Sequence, residues 1–480
     1  LGVAESEKGD WLLDDSALPL EIQHGSVPVP FLTETTAPHP GIFLMRTLVF
    51  EDRHVADLYP ITLTRPAFAV TCGSFRLVDH VDVLGGNVHA AVRPHIHAVA
   101  EADFMPPLAG VSANDVAGVR KSVGQAGPVL LVNARLVPSF AARETLARIA
   151  REGGPCAVTA EDALAAAVVL DPARLVPDSV GPDRIPDINA AVSRLGLPER
   201  AVELPLIEYP HDAVRYHLAT IADNLHARIR WSRFEQIREG VFVRNNVHVA
   251  EHVAFDTRKG PVLLESGSCL EPFVCLRGPV YVGAHSRVLD HASLKDGVSA
   301  GEHARLGGEI EGCVMESYSN KQHHGFLGHA YCGSWTNLGA GTSNSDLKNT
   351  YGPVTMTYSG TRVSTGMQFM GCILADYCKT AIHTAIFTGK MVGVCSMLYG
   401  TVTEDVPSYV NYAPATGHMT EVALDVAVRI QARMYERRHR HPRDCDVQLL
   451  RDVYTLTSQH RHSSAVSSGL GRFESRERNA

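Results

Sequence analysis

The chain of 480 residues contains no long block of lysine or arginine, and its formal net charge is −8 at pH 7. This argues against a surface for nucleic acid or an anionic membrane, while leaving room for a small basic pocket for a phosphate. No apolar run reaches the roughly 18–20 residues that a spanning helix needs, and residues 1–30 lack a basic start followed by an apolar stretch. Neither a membrane span nor a secretory signal is expected. None of the ten cysteines stands in a C-x-x-C pair. In a chain this long, reduced buried thiols are the expectation, which fits a cytoplasmic protein and gives a metal site no support.

What is present is an ordinary apolar share, 45%, with 20% charged residues, enough for two or three domains with their own cores. Residues 1–44 carry five prolines and many small polar residues and read as an extension. From Met45, short apolar strands such as "MRTLVFED" and "GPVLLVNARLVP" alternate with alanine-rich helical stretches at 141–152 and 187–195. This predicts an α/β domain over 45–240. Helices are predicted at 212–228, with Asp212 as cap, and at 231–238.

After residue 240 the helical period disappears. Every sixth residue from 264 is apolar: Leu264, Leu270, Leu276, Val282, Val288, Leu294, Ala300 and Leu306. At 45% apolar composition such a run arises by chance roughly twice in a thousand starts. Four places after each comes a mostly small or β-branched residue, from Ser268 to Ile310. The pattern predicts a parallel β-helix of about six turns over 241–405, three short strands per turn, with the periodic residue inside. Residues 311–325 and 343–368 break the frame and read as insertions, where chemistry is expected. Residues 406–480 read as a C-terminal arm. In it a helix over 420–438 is capped by Thr420 and turns Val422, Val426, Ile430 and Met434 to one face, with a polar tail beyond.

The order of these parts, with "LYPITLTRPAF", "SNKQHHGFLGH", "NLGAGTSNSDLKNTYG" and "TGMQFMGCILADYCKTAIHTAIFTGKMVGV", resembles a sugar nucleotidyltransferase family. That family is related to the bacterial bifunctional N-acetylglucosamine-1-phosphate uridyltransferase/glucosamine-1-phosphate acetyltransferase. The resemblance implies an α/β nucleotidyltransferase-like domain, a left-handed parallel β-helix and a C-terminal helical arm. It covers about residues 45–440. Leu327-Gly328, Gly333, Asn337 and Gly339-Ala340-Gly341-Thr342 match the bifunctional enzyme's acetyltransferase rung, with Phe326 in place of its tyrosine. The general base then falls on His323. Asp346 stands where that enzyme has an asparagine, so the partner of the base differs.

The resemblance implies an acyl-CoA-dependent acyltransferase, with acetyl-CoA or another acyl-CoA as co-substrate and a sugar-like or phosphorylated amine as acceptor. It implies a homotrimer with sites between adjacent β-helices. His323, Asp346 and Asn337 are the expected catalytic residues. Lys321, His324, His329, Lys348 and Asn349 are expected to meet the acceptor, and Gly341, Thr342, Thr384 and Lys390 the acyl-CoA. A zinc site from His323, His324, His329 and His383 lacks a helical i, i+4 pair and cysteine support, so no metal is expected there.

Two other readings stay open. Nucleotidyl transfer by residues 45–240 would need a glycine-rich phosphate loop and a magnesium-binding acid. Here "FEDRHVADLYPITLTRP" has no glycine, Arg65 is the sole substitute for the loop cation, and Asn133 stands where the acid is expected. Magnesium belongs only to that reading. A non-catalytic sugar-binding trimer is the other alternative.

Overall fold

The run "RTLVF" forms β1 (Arg46–Phe50), the centre of a six-stranded sheet with β2 (Val88–Val92), β3 (Ala109–Ser112), β4 (Val129–Asn133), β5 (Cys156–Ala160) and β6 (Ala163–Val169). The structure, a computed structural model, describes residues 45–81, 88–104, 109–112, 127–175, 187–414, 418–463 and 466. The extension expected at 1–44 lies outside them. The described residues form one compact unit. The strand order is β3-β2-β1-β4-β6-β5. The first four strands are parallel, and β6 and β5 turn antiparallel at the edge. All five residues of β4 and all seven of β6 are buried, as continuous apolar runs require when both sheet faces are covered.

Helices α1 (Leu77–Val81), α2 (His97–Asp103), α3 (Phe140–Glu152), α4 (Ile188–Ser193) and α5 (Pro210–Trp231) complete this domain. The Ser139 hydroxyl accepts from Ala142 N to start α3, and Gly153, at φ 65°, closes it. Asp212 works from the third position of α5 rather than as its cap, with Oδ2 accepting from the backbone N–H groups of Glu208 and Tyr209, each at 3.0 Å. The helix predicted at 231–238 is not formed. Glu235–Arg238 is instead β7, antiparallel to β8 (Val241–Val243), and it covers what would be an open edge at the first rung.

From β8 the chain winds as a parallel β-helix. Leu264 stacks on Val282 and Val282 on Ala300, Leu270 on Val288 and then Leu306, and Leu276 on Leu294, all fully buried. One face alone carries eight parallel strands, more than the six turns expected. The first expected insertion, 311–325, is corrected: these residues form regular rungs in shortened turns, Ala300 pairing with Met315 and Leu306 with Lys321. The second insertion is real. Cys332 pairs with Leu374, and between them stands the antiparallel hairpin Thr355–Tyr358/Thr361–Ser364.

The arm differs from expectation at both ends. Thr420 belongs to the strand His418–Glu421, paired with Val410–Ala413, so α6 (Leu424–Glu436) starts at Ala423. Its fully buried residues are Ala427, Gln431 and Tyr435, one position on from the predicted stripe, because Gln431 Nε2 and the Tyr435 hydroxyl meet the Tyr377 hydroxyl. The expected polar tail contains α7 (Asp444–Leu456) and α8 (Ser458–Ser463), with Leu449, Leu450 and Val453 buried. No described helix is long and apolar enough to cross a membrane.

The α/β domain is bolted to the solenoid. The Arg65 guanidinium reaches Glu316 at 2.9 Å and Asp376 at 2.7 Å, and donates to the Ser334 hydroxyl at 2.8 Å. Thr71 and the Tyr331 hydroxyl also donate to Glu316, and Thr64 to Asp376. Burial alone would lower the pKa of this guanidinium, but the two carboxylates outweigh it and raise it well above its ordinary value. Removing one partner of a buried pair strands the other's charge, so Arg65→Ala is expected to lose about 3–5 kcal/mol in urea unfolding. A loss below about 1 kcal/mol would show that the seam does not depend on it.

Acid should weaken the same body. Burial holds His80 and His217 down at about 4 and His95 at about 3, from an ordinary 6.5. Their lowered folded pKa values mean that the unfolded chain binds more protons below pH 6.5. The stability they contribute is complete above that pH and is lost as pH falls toward 4. With three such groups, denaturation at pH 6 and pH 5 is expected to show a fall of up to about 4 kcal/mol per pH unit. A flat profile across that window would contradict it.

Candidate functional site

A six-residue strand period forces a sharp corner between strands, and many corner residues here adopt positive φ, among them His285, His303, Tyr318, Trp335, His329 and His383. Their rings stack along the corners, as in the run His285, His303, Tyr318, Trp335 and Tyr435 at centroid distances of 5.1, 4.8, 4.2 and 4.5 Å. Where an imidazole has no ring beneath it, a glycine takes the place. His285 lies over Gly267, His383 over Gly341 and His329 over Gly312, each within 3.3 Å of where a glycine Cβ would stand. A corner imidazole is therefore in part a packing element.

His329 differs from the others. Its Nδ1 meets Asp346 Oδ2 at 2.8 Å, one 17-residue turn further on, with the two side chains 15% and 14% exposed. An ionised carboxylate only accepts, so Nδ1 carries a hydrogen, and in the neutral ring Nε2 keeps its lone pair. Nε2 has no partner among the described residues. The geometry is built around this contact. Gly328 leaves the room, since a Cβ there would fall 2.4 Å from Asp346 Oδ2. Met370 N donates to Asp346 O, Gly371 N donates to His329 O, and the Phe369 ring stacks on the imidazole at 5.4 Å.

His323 and His324 lie elsewhere. Both are exposed, and strand Phe326–Gly328 separates them from His329. At ~3.3 Å per residue His323 and His329 stand at opposite ends of one strand, roughly 15–20 Å apart along the chain, too far for one carboxylate to serve both. The expected pairing of Asp346 with His323 is corrected to Asp346 with His329. His324 and His383 approach each other, with ring centroids 6.2 Å apart.

Several other expected site residues have structural roles. Lys321 is buried in the core column beside Leu306, its ammonium donating to Gly307 O at 3.1 Å and His323 O at 2.9 Å, and burial pulls its pKa down to about 8. It cannot meet a phosphate from there. Asn337 Oδ1 accepts from Asn320 Nδ2 at 2.6 Å in a ladder along the rungs. Thr342 and Thr380 share a hydrogen bond at 2.6 Å, and Thr384 donates to Ala381 O, both threonines of the expected acyl-CoA set being buried. Gly341 makes room for His383. Lys348 is half-buried and Asn349 exposed at the start of the insertion, and Lys390 is half-buried on the rung after Cys372.

In the first domain, strand order reverses between β1 and β4, where an open α/β sheet takes its ligand. That crevice is filled by protein. Glu51 accepts from Arg93 Nε, Arg93 N and Ala67 N, while Asp52 accepts from Arg135 through both oxygens and from Asn133 Nδ2 at 2.8 Å. Asn133 is thus a link in a closed buried network rather than a metal ligand, and Arg65 points into the solenoid seam rather than toward a triphosphate. The residues that sequence reasoning missed are Phe369, which stacks on His329, and Leu218 of the other domain, which packs over the same glycine, Gly312.

Residues 47–230 match the family model described as sugar nucleotidyl transferase. The chain is similar to the bifunctional protein GlmU of Gloeobacter violaceus, 32% identical over 130 residues, covering 26% of this chain and 25% of that protein. It is also similar to that of Methanococcus vannielii, 30% identical over 90 residues (19% and 22% covered), and that of Bartonella quintana, 24% identical over 204 residues (42% and 39%). The matches thus span well under half the length of each relative. UDP-N-acetylglucosamine acyltransferase structures from Arabidopsis and Francisella novicida align at 12% identity over 47% and 46% of this chain, and 99% and 78% of theirs. Their TM-scores, 0.21 and 0.17, are too low to establish a shared arrangement. Residues 47–230 are thus similar to the sugar nucleotidyl transferase family, and parts of the chain are similar to the bifunctional GlmU proteins.

Proposed function

We propose that the protein is an acyl-CoA-dependent acyltransferase acting on a sugar-like acceptor, with His329 as general base and Asp346 as its orienting partner. The observation that carries the reading is the His329–Asp346 contact on the edge of the solenoid, which leaves Nε2 ready to accept a proton. Nε2 takes the proton of the acceptor's amine or hydroxyl as that group attacks the thioester carbonyl. A C–N or C–O bond forms, the C–S bond breaks, and the imidazolium returns the proton to the departing thiolate.

The filled crevice at β1 and β4 favours a first domain that supports this site over one that transfers nucleotides. A homotrimer is the assembly we infer, supported by Ile382, Phe387 and Tyr399, which are 66%, 50% and 44% exposed on two neighbouring turns of the solenoid.

The assay is thiol release from acetyl-CoA with a panel of amino sugars and sugar phosphates. His329→Gln is expected to lose 10²–10⁴-fold in kcat/KM, and His323→Ala to stay within a few-fold of the parent. The reverse pattern would return the base to His323. Absence of turnover, together with a melting temperature raised by UTP and magnesium but not by acetyl-CoA, would favour nucleotidyl transfer, and no shift with either would favour a scaffold. Independently, nitrogen NMR of the imidazole at pH 8 is expected to find His329 protonated on Nδ1, and Asp346→Ala to shift the tautomer toward Nε2–H. An unchanged tautomer would mean that the carboxylate does not orient the ring.

A further inference from the structure

Helix α5 of the first domain lies along the corner that carries Gly297, Gly312 and His329. His217 Nε2 meets Gly297 O at 2.8 Å. The next residue, Leu218, is half-buried, and its Cδ2 atom lies 3.0 Å and 3.2 Å from the points where Cβ atoms on Gly297 and Gly312 would stand. His329 Nε2 lies 3.3 Å from that same Gly312 point, so the leucine methyl and the proton-accepting edge of the imidazole converge over one glycine. On the other side Phe369 stacks on the ring while remaining 42% exposed. The insertion that supplies Phe369 is itself held by α5. His211 Nδ1 and the Tyr358 hydroxyl share a hydrogen bond at 2.6 Å, and the Tyr209 ring stacks on Tyr358 at 4.7 Å.

We propose that the first domain forms one wall of the acceptor site, with Leu218 as a specificity-determining residue beside His329 Nε2 and Phe369 as the platform for the C–H face of a sugar ring. This rests on the reading of His329 as the base. Both walls are apolar, so the group next to the reacting amine or hydroxyl is a ring face or a hydrogen-bearing carbon. A phosphate or carboxylate at that position would be desolvated without a counter-charge. The bulk tolerated there is set by a residue of the nucleotidyltransferase-like domain, which gives that domain a role in acceptor choice.

Diethyl pyrocarbonate labelling of the full-length protein at pH 7, read by mass spectrometry on the peptide containing His329, tests the wall without knowledge of the acceptor. Leu218→Ala is expected to raise the labelling rate of His329 at least threefold and Leu218→Trp to lower it, with His323 and His324 unchanged and the melting temperature confirming the fold. In the acetyl-CoA assay, Leu218→Ala is expected to shift the ratio of kcat/KM between larger and smaller acceptors at least fivefold. Equal His329 labelling in all three proteins, with unaltered acceptor ratios while His329→Gln is inactive, overturns the wall and leaves the base in place. Full activity of His329→Gln overturns the base, and the specificity role of Leu218 with it.

Discussion

Every turn of the solenoid must set its inward side chain on the one before it, and this register governs the rest of the molecule. Leu264, Val282 and Ala300 obey it, as do Leu270, Val288 and Leu306. Strands so short leave little chain for their corners, so corner residues take left-handed backbone and their rings stack turn upon turn. His329 inherits its place from that rule, over Gly312 and one turn before Asp346. What turns a packing histidine into a candidate base is one carboxylate on Nδ1 and a glycine, Gly328, that lets it approach.

The first domain follows a different logic. Residues that would face a nucleotide at the sheet's switch point are locked into internal pairs: Glu51 with Arg93, and Asp52 with Arg135 and Asn133. The cation nearest a phosphate loop in sequence, Arg65, is instead a strut to Glu316 and Asp376. The long helix α5 of this domain packs against the solenoid, His217 meeting Gly297 O and Leu218 lying over Gly312. In the proposed reading, a fold associated with one chemistry supports a site that belongs to its neighbour.

The solenoid was legible because its period repeats a single physical demand, an apolar residue at every sixth place. The helices 141–152 and 187–195 were legible from their alanine content, and 212–228 was legible although Asp212, its expected cap, lies inside the helix. The His329–Asp346 pair was not, because the turns shorten after residue 300 and the six-residue count no longer says which residue lies above which. The same shortening places Lys321 in the core column, where a strict count expects no lysine and a loop reading places it in solvent. Arg65 was misread since its partners lie some 250 and 310 residues away, beyond any local pattern. Residues 231–238 have helix-forming composition, yet the need to cover the first rung makes Glu235–Arg238 a strand.

The most direct test of the central claim, that His329 and Asp346 act as one unit, is a double-mutant cycle of kcat/KM with His329→Gln and Asp346→Asn. A base and its orienter predict near-complete non-additivity: Asp346→Asn should be strongly impaired alone, yet cost almost nothing further once His329 is gone. Independent, additive losses from the two substitutions would contradict it.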